Sequence, residues 1–294
     1  MSKPSLRQAL DAGQFVAAPG IHDMISAVIA NKVGFDFIYS SGYWGTASAY
    51  GLPDAGIATY TEMVDRVETL CRTAHASVIA DADTGYGGLL NVDYTVRGYE
   101  QAGVTAIQLE DQEFPKKCGH TPYKRVIATQ DMVDKIKVAR AAREKPEETL
   151  IIARTDARQV EGFEGAVTRG LAFQDAGADI VFVEALESVE EMQEACRRIS
   201  APMLANMADG GKTPILSAAE LEKIGYSVAI YPAITGLAAA AAAEHALNTL
   251  KSEGTSKSPR LDLFDFNEFN QLIGFQRIWD FEAKWARDDT PSEV

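Results

Sequence analysis

Cysteine is scarce in this chain. Cys71, Cys118 and Cys196 are an odd number with no regular spacing among 294 residues, which excludes a disulfide framework and fits a reducing compartment, with cytoplasm as the expectation. Histidine occurs only four times, and no His/Cys cluster has the spacing of a zinc site. Positive charge is short as well. Lysine and arginine number 28 against 42 acidic residues, a formal charge of −14 with no polybasic run, so nucleic acid and anionic membrane surfaces are repelled at long range. Long apolar runs are missing too. The longest, Ile234 to Ala243, is roughly half of a bilayer span, and the stretch up to Gly13 has no apolar targeting segment, so no membrane partner is expected. What is there is 46% hydrophobic and 24% charged, the composition of a folded globular chain. A small anionic metabolite stays admissible, because local cations or a metal ion set the field inside a pocket whatever the outer surface carries. The segment from Lys116 to Arg125 offers such cations.

Eight short apolar or β-branched runs recur along the chain: Phe15–Ala18, Phe35–Ser40, Val78–Asp83, Ala106–Asp111, Leu150–Asp156, Asp179–Ala185, Met203–Met207 and Tyr226–Pro232. Amphipathic stretches lie between them, such as Thr59–Ala74, Asn91–Ala102, Thr129–Arg143, Phe163–Ala176, Ser188–Ile199 and Ser217–Ile224. That alternation builds parallel sheets, and eight units predict a closed (β/α)8 TIM barrel, whose usual size is ~250 residues. Gly34, Gly103, Gly177 and Gly225 each follow a helix-like stretch and precede an apolar run, the pattern of a left-handed helix end. Thr59 with Glu62 and Ser217 with Glu220 fit capping boxes that open helices.

Residues 1–250 are read as the barrel and 251–294 as a C-terminal helical extension, separated by a polar stretch after Leu250. The extension carries Phe264, Phe266, Phe269, Phe275, Ile278, Trp279, Phe281 and Trp285, largely at helical spacing. Such a row needs a covering surface, the barrel itself or a neighbouring subunit, and an oligomer is the expectation.

Reactive groups of a barrel sit at the C-terminal ends of its strands. Here those ends read Ser40-Ser41-Gly42-Tyr43-Trp44, Asp81-Ala82-Asp83, Glu110-Asp111, Arg154-Thr155-Asp156, Glu184 and Asn206. Asp81 and Asp83 fall on one side of a strand by its two-residue period, and Glu110 arrives from the next strand, so three carboxylates surround one hard cation. Mg2+ is the natural choice, with Mn2+ as a substitute, since it takes one or two carboxylates and leaves positions for a substrate. The loop Lys116-Lys117-Cys118-Gly119-His120 sets a thiol between cations and beside a glycine that lets backbone approach a ligand.

Taken together, Ser40-Ser41-Gly42, Gly51-Leu52-Pro53-Asp54, Asp81-Ala82-Asp83-Thr84-Gly85-Tyr86-Gly87, Glu110-Asp111-Gln112, the Cys118 loop, Ala153-Arg154-Thr155-Asp156-Ala157 and Gly211-Lys212-Thr213-Pro214 resemble the isocitrate lyase and phosphoenolpyruvate mutase superfamily. The resemblance covers nearly the whole chain and is nearest to the short-chain branch of 2-methylisocitrate lyases, 2,3-dimethylmalate lyases and oxaloacetate hydrolases. It implies a barrel whose last helix is exchanged between subunits, in a dimer or tetramer, and a mobile loop carrying the cysteine. It implies Asp83 as the direct metal ligand, with Asp54, Asp81 and Glu110 acting through metal-bound water. Ser41, Gly42, Tyr43 and Arg154 would cradle the 2-oxo-acid carboxylate, with Asp54, Gly119, Glu184, Asn206 and Thr213 around the substrate. Cys118 would be the general acid of carbon–carbon cleavage, accompanied by Lys117, His120 and Arg154.

Within the superfamily, phosphonopyruvate-type mutases carry asparagine at the position of Cys118, and oxaloacetate hydrolases typically carry serine at that of Thr213. Methylisocitrate lyases carry arginine where this chain has Leu237 and Ala241, and larger isocitrate lyases have serines where it has Met207, Ala208 and Asp209. The resemblance therefore implies cleavage of a small 2-alkylmalate such as 2,3-dimethylmalate to pyruvate and propionate, with 2-methylisocitrate lyase and oxaloacetate hydrolase as alternatives.

Overall fold

The computed structural model of the chain describes residues 3–119 and 123–286. Its first half runs α1 (Leu6–Asp11), β1 (Val16–Pro19), α2 (Met24–Val33), β2 (Phe37–Ser40), α3 (Gly42–Tyr50), α4 (Tyr60–Thr73), β3 (Ser77–Asp81), α5 (Leu89–Ala102), β4 (Ala106–Glu110) and α6 (Thr129–Ala142). There follow β5 (Leu150–Thr155), α7 (Arg158–Asp175), β6 (Ile180–Val183), α8 (Val189–Arg198), β7 (Met203–Asn206), α9 (Ala218–Ile224), β8 (Val228–Tyr231) and α10 (Ile234–Glu253). All eight expected strands form, most of them shorter than expected, while β1 runs one residue further, to Pro19, and β3 starts one earlier, at Ser77. They pair in parallel, each with its sequence neighbour, and β1 pairs with β8 with Val16 opposite Val228. Between β1 and β2 the ring is closed by a single bridge, Gly20 to Tyr39, where Ile21 N donates to Tyr39 O at 2.9 Å. The fold is a nearly closed (β/α)8 barrel.

Local chemistry explains the punctuation. Both capping boxes form, at Thr59 with Glu62 and at Ser217 with Glu220. Gly34, Gly103 and Gly225 end their helices in the left-handed region, at φ 90°, 93° and 117°, where a Cβ would be strained. Helix α3 lies outside the helical stretches read from the sequence; Ser41 opens it as N-cap, its Oγ accepting from Trp44 N at 3.5 Å.

Two hydrophobic clusters hold the barrel. The outer one, between strands and helices, includes Tyr99, Met132, Ile136 and Phe173. The inner one contains Phe37, Tyr39, Ile79, Ile152, Phe182, Leu204 and Ile230, joined by Leu6 and Ala9 of α1. Helix α1 plugs the end where the strands begin: Ser77 Oγ donates to Pro4 O, and Arg7 pairs with Asp179 at 2.6 Å. Strand alternation then fixes what faces inward one layer higher. Counting by twos from inner Ile79, Ala106, Ile152, Phe182 and Leu204 leads to Asp81, Glu110, Arg154, Glu184 and Asn206. The barrel is thus apolar in its lower layers and polar at its mouth.

The chain divides into two compact units, Met1–Ala238 and Ala239–Val294. The second contains the remainder of α10 and the helices α11 (Phe266–Leu272) and α12 (Phe275–Trp285). Its aromatic side chains are exposed, Phe266 at 73% and Trp285 at 64%. Among the described residues no helix is long and apolar enough to cross a membrane.

Phe182 is 1% exposed and supports Arg154, whose guanidinium lies 5.2 Å from its ring centre. Phe182→Ala is expected to lower stability by about 3–5 kcal/mol, the cost of an aromatic-sized cavity in a packed core. Urea unfolding measures it; a loss below about 1 kcal/mol, the range of a surface substitution, would show this floor to be loosely packed.

Candidate active site

Arg154 is the centre of the polar layer. Its Nε and Nη2 donate to Asp156 Oδ2 and Oδ1 at 2.9 and 3.0 Å, a bidentate pair. Its remaining directions are filled by Glu110 Oε2 at 3.4 Å and Glu184 Oε2 at 3.3 Å. Burial disfavours the guanidinium charge, and the carboxylates of Asp156, Glu110 and Glu184 override that and hold it firmly protonated. Burial likewise opposes ionisation of Asp156, yet Arg154 and Lys124 hold its carboxyl down at about 2. Asp156 is itself set by the strand before it: its N–H donates to Asp111 Oδ1 at 2.9 Å, and Thr155 Oγ1 donates to Asp111 Oδ2 at 2.7 Å. Glu184 accepts from Asn206 Nδ2 at 3.0 Å and from Ala185 N at 2.8 Å, the latter with Ala185 at φ 61°.

Beside this layer lies the acidic pocket. Asp81 Oδ2 accepts from Gly42 N at 3.2 Å and Asp81 Oδ1 from Asp83 N at 3.0 Å. The two-residue strand period is not what places Asp83, a correction to the sequence reading. The strand ends at Asp81, and Asp83 takes the left-handed conformation at φ 51°. That turn still brings the two carboxylates together, since a Cβ on Gly42 would stand 3.0 Å from an oxygen of each. Only glycine lets the start of α3 sit against both.

Lys116 was expected as a cation that faces the ligand; instead its ammonium is inside the acidic pocket. Nζ lies 2.6 and 2.7 Å from the two oxygens of Asp54 and 2.6 Å from Asp83 Oδ1, with the lysine 3% exposed. Burial works against its charge, and Asp83, Glu110 and Asp54 outweigh it and raise its pKa. The carboxylates remain in excess. Burial pushes Asp83 up to about 6 against the pull of Lys116, and pushes Glu110 well above its ordinary range against that of Arg154.

Among the described residues no three His, Cys, Asp or Glu side chains form a ready metal cage. Asp81, Asp83 and Glu110 nevertheless suit a hard divalent cation that keeps most of its shell for water and substrate. The donors are all oxygen, and Glu110 Oε1 is buried without a hydrogen-bond donor, while the contact given for Asp83 Oδ1 is the Lys116 ammonium at 2.6 Å. Buried acceptors without donors are costly, and a cation satisfies them.

A cavity of about 290 Å³ opens at this mouth. Ser41, Tyr43, Asp54, Asp81, Glu110, Arg154, Glu184 and Asn206 line it together with Lys117, Cys118 and Gly119. Gly42 and Asp83 stand just behind, covered by Asp81 and Lys116. Thr213 is buried in the loop after β7, outside the cavity lining; His120 lies outside the described residues. Lys117 turns toward its own loop, Nζ donating to Tyr123 O at 3.1 Å and lying 5.7 Å from the Tyr123 ring centre. Gly119 packs so closely that a Cβ there would overlap Arg154 Nη2 and stand 2.9 Å from Glu184 Cγ. Trp44 and Leu237 contribute apolar lining. The Trp44 ring lies on the backbone of Gly236, where any Cβ would collide with it, and meets Tyr43 edge to face at 5.4 Å. Trp44, Lys116 and Lys124 fall in stretches singled out from the sequence, but without individual roles. No local signal gives their contacts, because their partners lie far off along the chain.

Comparison with known proteins agrees with this geometry. The model of the phosphoenolpyruvate phosphomutase family matches residues 6–251. A 2,3-dimethylmalate lyase of Eubacterium barkeri is 44% identical over 281 residues, 96% of this chain and 97% of its own length. A 2-methylisocitrate lyase of Aeropyrum pernix is 42% identical, over 98% of this chain and 91% of its own. Among solved structures, oxaloacetate acetylhydrolase in complex with the inhibitor 3,3-difluorooxalacetate superposes with a TM-score of 0.91 at 30% identity, covering 97% of both chains. Phosphonopyruvate hydrolase in complex with oxalate and Mg2+ superposes with a TM-score of 0.86 at 28% identity, covering 96% of this chain and 98% of its own. With the barrel, the acidic mouth and the cysteine loop in place, the chain belongs to the isocitrate lyase and phosphoenolpyruvate mutase superfamily of enzymes.

Proposed function

We propose that the chain is a Mg2+-dependent carbon–carbon lyase that cleaves a small 2-alkylmalate, such as 2,3-dimethylmalate, to pyruvate and propionate. One observation carries this reading: a single cavity is lined by carboxylates and Arg154, by Cys118 of the loop after β4, and by the apolar side chains of Trp44 and Leu237. Asp83 would hold the cation directly, with Asp81, Glu110 and Asp54 around it. When bound, that cation supplies Lewis-acid polarisation of the substrate's 2-hydroxyl and carboxylate oxygens. Arg154 and the N-terminus of α3, at Ser41 and Gly42, bind the carboxylate that stays with the 2-oxo product. Asn206 and Glu184 border the departing portion. As the C2–C3 bond breaks, its electron pair leaves with C3, the 2-hydroxyl proton passes to a carboxylate of the acidic pocket, and C2 becomes a carbonyl. Cys118 then gives its proton to C3 as general acid, and the loop keeps water out.

Leu237 separates this substrate class from a tricarboxylate. An alkyl group of the substrate finds apolar contact at Trp44 and Leu237, whereas a third carboxylate would find no cation in either side chain. The hydrolase named among the structural neighbours is the second reading, favoured by the barrel likeness alone. The exposed aromatic row of α11 and α12 supports an assembly of several copies, a dimer or tetramer with its C-terminal helices exchanged, and light scattering reads its mass.

Three measurements test the reading. With Mg2+, substituted malates are expected to yield pyruvate and the matching carboxylate, detected by mass spectrometry, and removal of the metal by chelation to stop turnover. Oxalate and acetate from oxaloacetate as the dominant products would establish the hydrolase instead. Cys118→Ser is expected to lower kcat by about 10²–10⁴-fold, the range of a lost general acid, while Mn2+ binding followed by electron paramagnetic resonance stays near that of the parent; retained turnover would remove the thiol from the reaction. Leu237→Arg is expected to weaken kcat/KM for 2,3-dimethylmalate by about tenfold or more, by replacing the apolar contact of the substrate's alkyl group with a charged side chain, and to improve 2-methylisocitrate cleavage. No change in the ratio of the two would show that Leu237 does not select the substrate.

A further inference from the structure

Lys124 ends the cysteine loop and plays no part in the reading above. Its side chain is 1% exposed, and its ammonium makes two contacts: Asp156 Oδ1 at 2.9 Å and the carbonyl oxygen of Gly119. The first anchors it to the platform that fixes Arg154, since the same Asp156 carboxylate takes both prongs of that guanidinium. The second reaches the residue after Cys118. Gly119 is pressed from the other side as well, its α-carbon lying against Arg154 Nη2 and Glu184 with no room for a Cβ. The backbone next to the thiol is thus held from below by the layer that lines the cavity and through its carbonyl by a buried ammonium.

We propose that Lys124 is a positioning residue that latches the Cys118 loop to Asp156, so that the thiol and the Arg154 guanidinium keep a fixed spacing. The proposal rests on the lyase reading for its consequence in turnover, not for the latch itself. Charge neutralisation alone does not account for Lys124, because Asp156 already receives two charge-assisted hydrogen bonds from Arg154. Asp156 is further held by its N–H bond to Asp111, which in turn takes Arg169 Nη1 at 3.1 Å. The platform therefore persists without Lys124, and what its removal frees is the carbonyl of Gly119. Burying an ammonium costs several kcal/mol unless its partners are well placed, and here one of those partners is the loop that carries the proposed acid.

Full-length Lys124→Met, close in volume but uncharged, and Lys124→Arg, which restores the charge, test the latch. The first readout needs no substrate: the rate of Cys118 alkylation by iodoacetamide, quantified on the Cys118 peptide by mass spectrometry. It is expected to rise severalfold in Lys124→Met and to return toward the parent rate in Lys124→Arg. The second is turnover of the best substrate, with kcat expected to fall about 10–100-fold, as for a reactive group displaced by a fraction of an ångström to an ångström, while KM stays within about twofold, as expected when ground-state binding is untouched. Unchanged alkylation or unchanged kcat in folded Lys124→Met overturns the proposal, as does a Lys124→Arg variant no closer to the parent than Lys124→Met. Should Lys124→Met not fold, Lys124→Ala, which likewise removes both contacts, is judged by the same criteria. A raised alkylation rate in a protein that cleaves none of the malates would instead overturn the lyase reading and leave the latch standing.

Discussion

Everything at the mouth of this barrel depends on one buried guanidinium. Arg154 stands where the apolar layers end, on the ring of Phe182, and three carboxylates from two neighbouring strands and from its own strand end close around it. Removing one member of such a cluster leaves an uncompensated charge in a place water does not reach, at about 3–5 kcal/mol. The cluster therefore behaves as a unit. It sets Glu110 and Glu184 at fixed positions, holds Asp156 ionised, and through Asp156 and Lys124 it reaches the loop that carries Cys118.

The second constraint is an imbalance of charge. Asp54, Asp81, Asp83 and Glu110 crowd a space in which Lys116 and Arg154 are the nearby cations, and burial first, then the acidic neighbours, raise the pKa values of Asp83 and Glu110. A hard cation relieves the imbalance. In doing so it converts a repulsive pocket into one able to receive an anion, which is how a chain of formal charge −14 accommodates a dicarboxylate in the proposed reaction. The outer surface and the site obey different local fields, and only the second bears on substrate choice.

Besides the charges, the cavity lining includes the apolar side chains of Trp44 and Leu237. The tryptophan ring is seated on Gly236, which fixes that part of the lining. A substrate with both carboxylates and alkyl groups matches that mixed lining, and the thiol enters from the loop. In the proposed reaction, bond cleavage leaves a carbanionic carbon that needs an acid. The placement of Cys118 in the cavity lining serves that need in the proposed mechanism.

The barrel was legible from the sequence because its causes are local. Alternating apolar runs, capping boxes at Thr59 and Ser217 and left-handed glycines at Gly34, Gly103 and Gly225 act over a few residues, and strand parity carries Asp81, Glu110, Arg154, Glu184 and Asn206 to one rim. The cysteine loop was legible as a motif, although its lysines were misread. Lys116 and Lys117 were expected to face the ligand together, yet Lys116 is sunk between Asp54 and Asp83 and Lys117 turns to Tyr123. Asp54 is 62 residues from Lys116 and Asp156 is 32 from Lys124, and no pattern in one dimension states which of many carboxylates an ammonium will meet. The left-handed turn at Asp83 is of the same kind, imposed by what surrounds it. The sequence by itself determined the eightfold alternation, the inward polar rim and the presence of a thiol in a basic loop, because each follows from neighbouring residues. Only the tertiary structure decided the pairing of the charges, since ion pairs between distant segments exist once the barrel has brought their strand ends together and burial has forced every charge to find a partner.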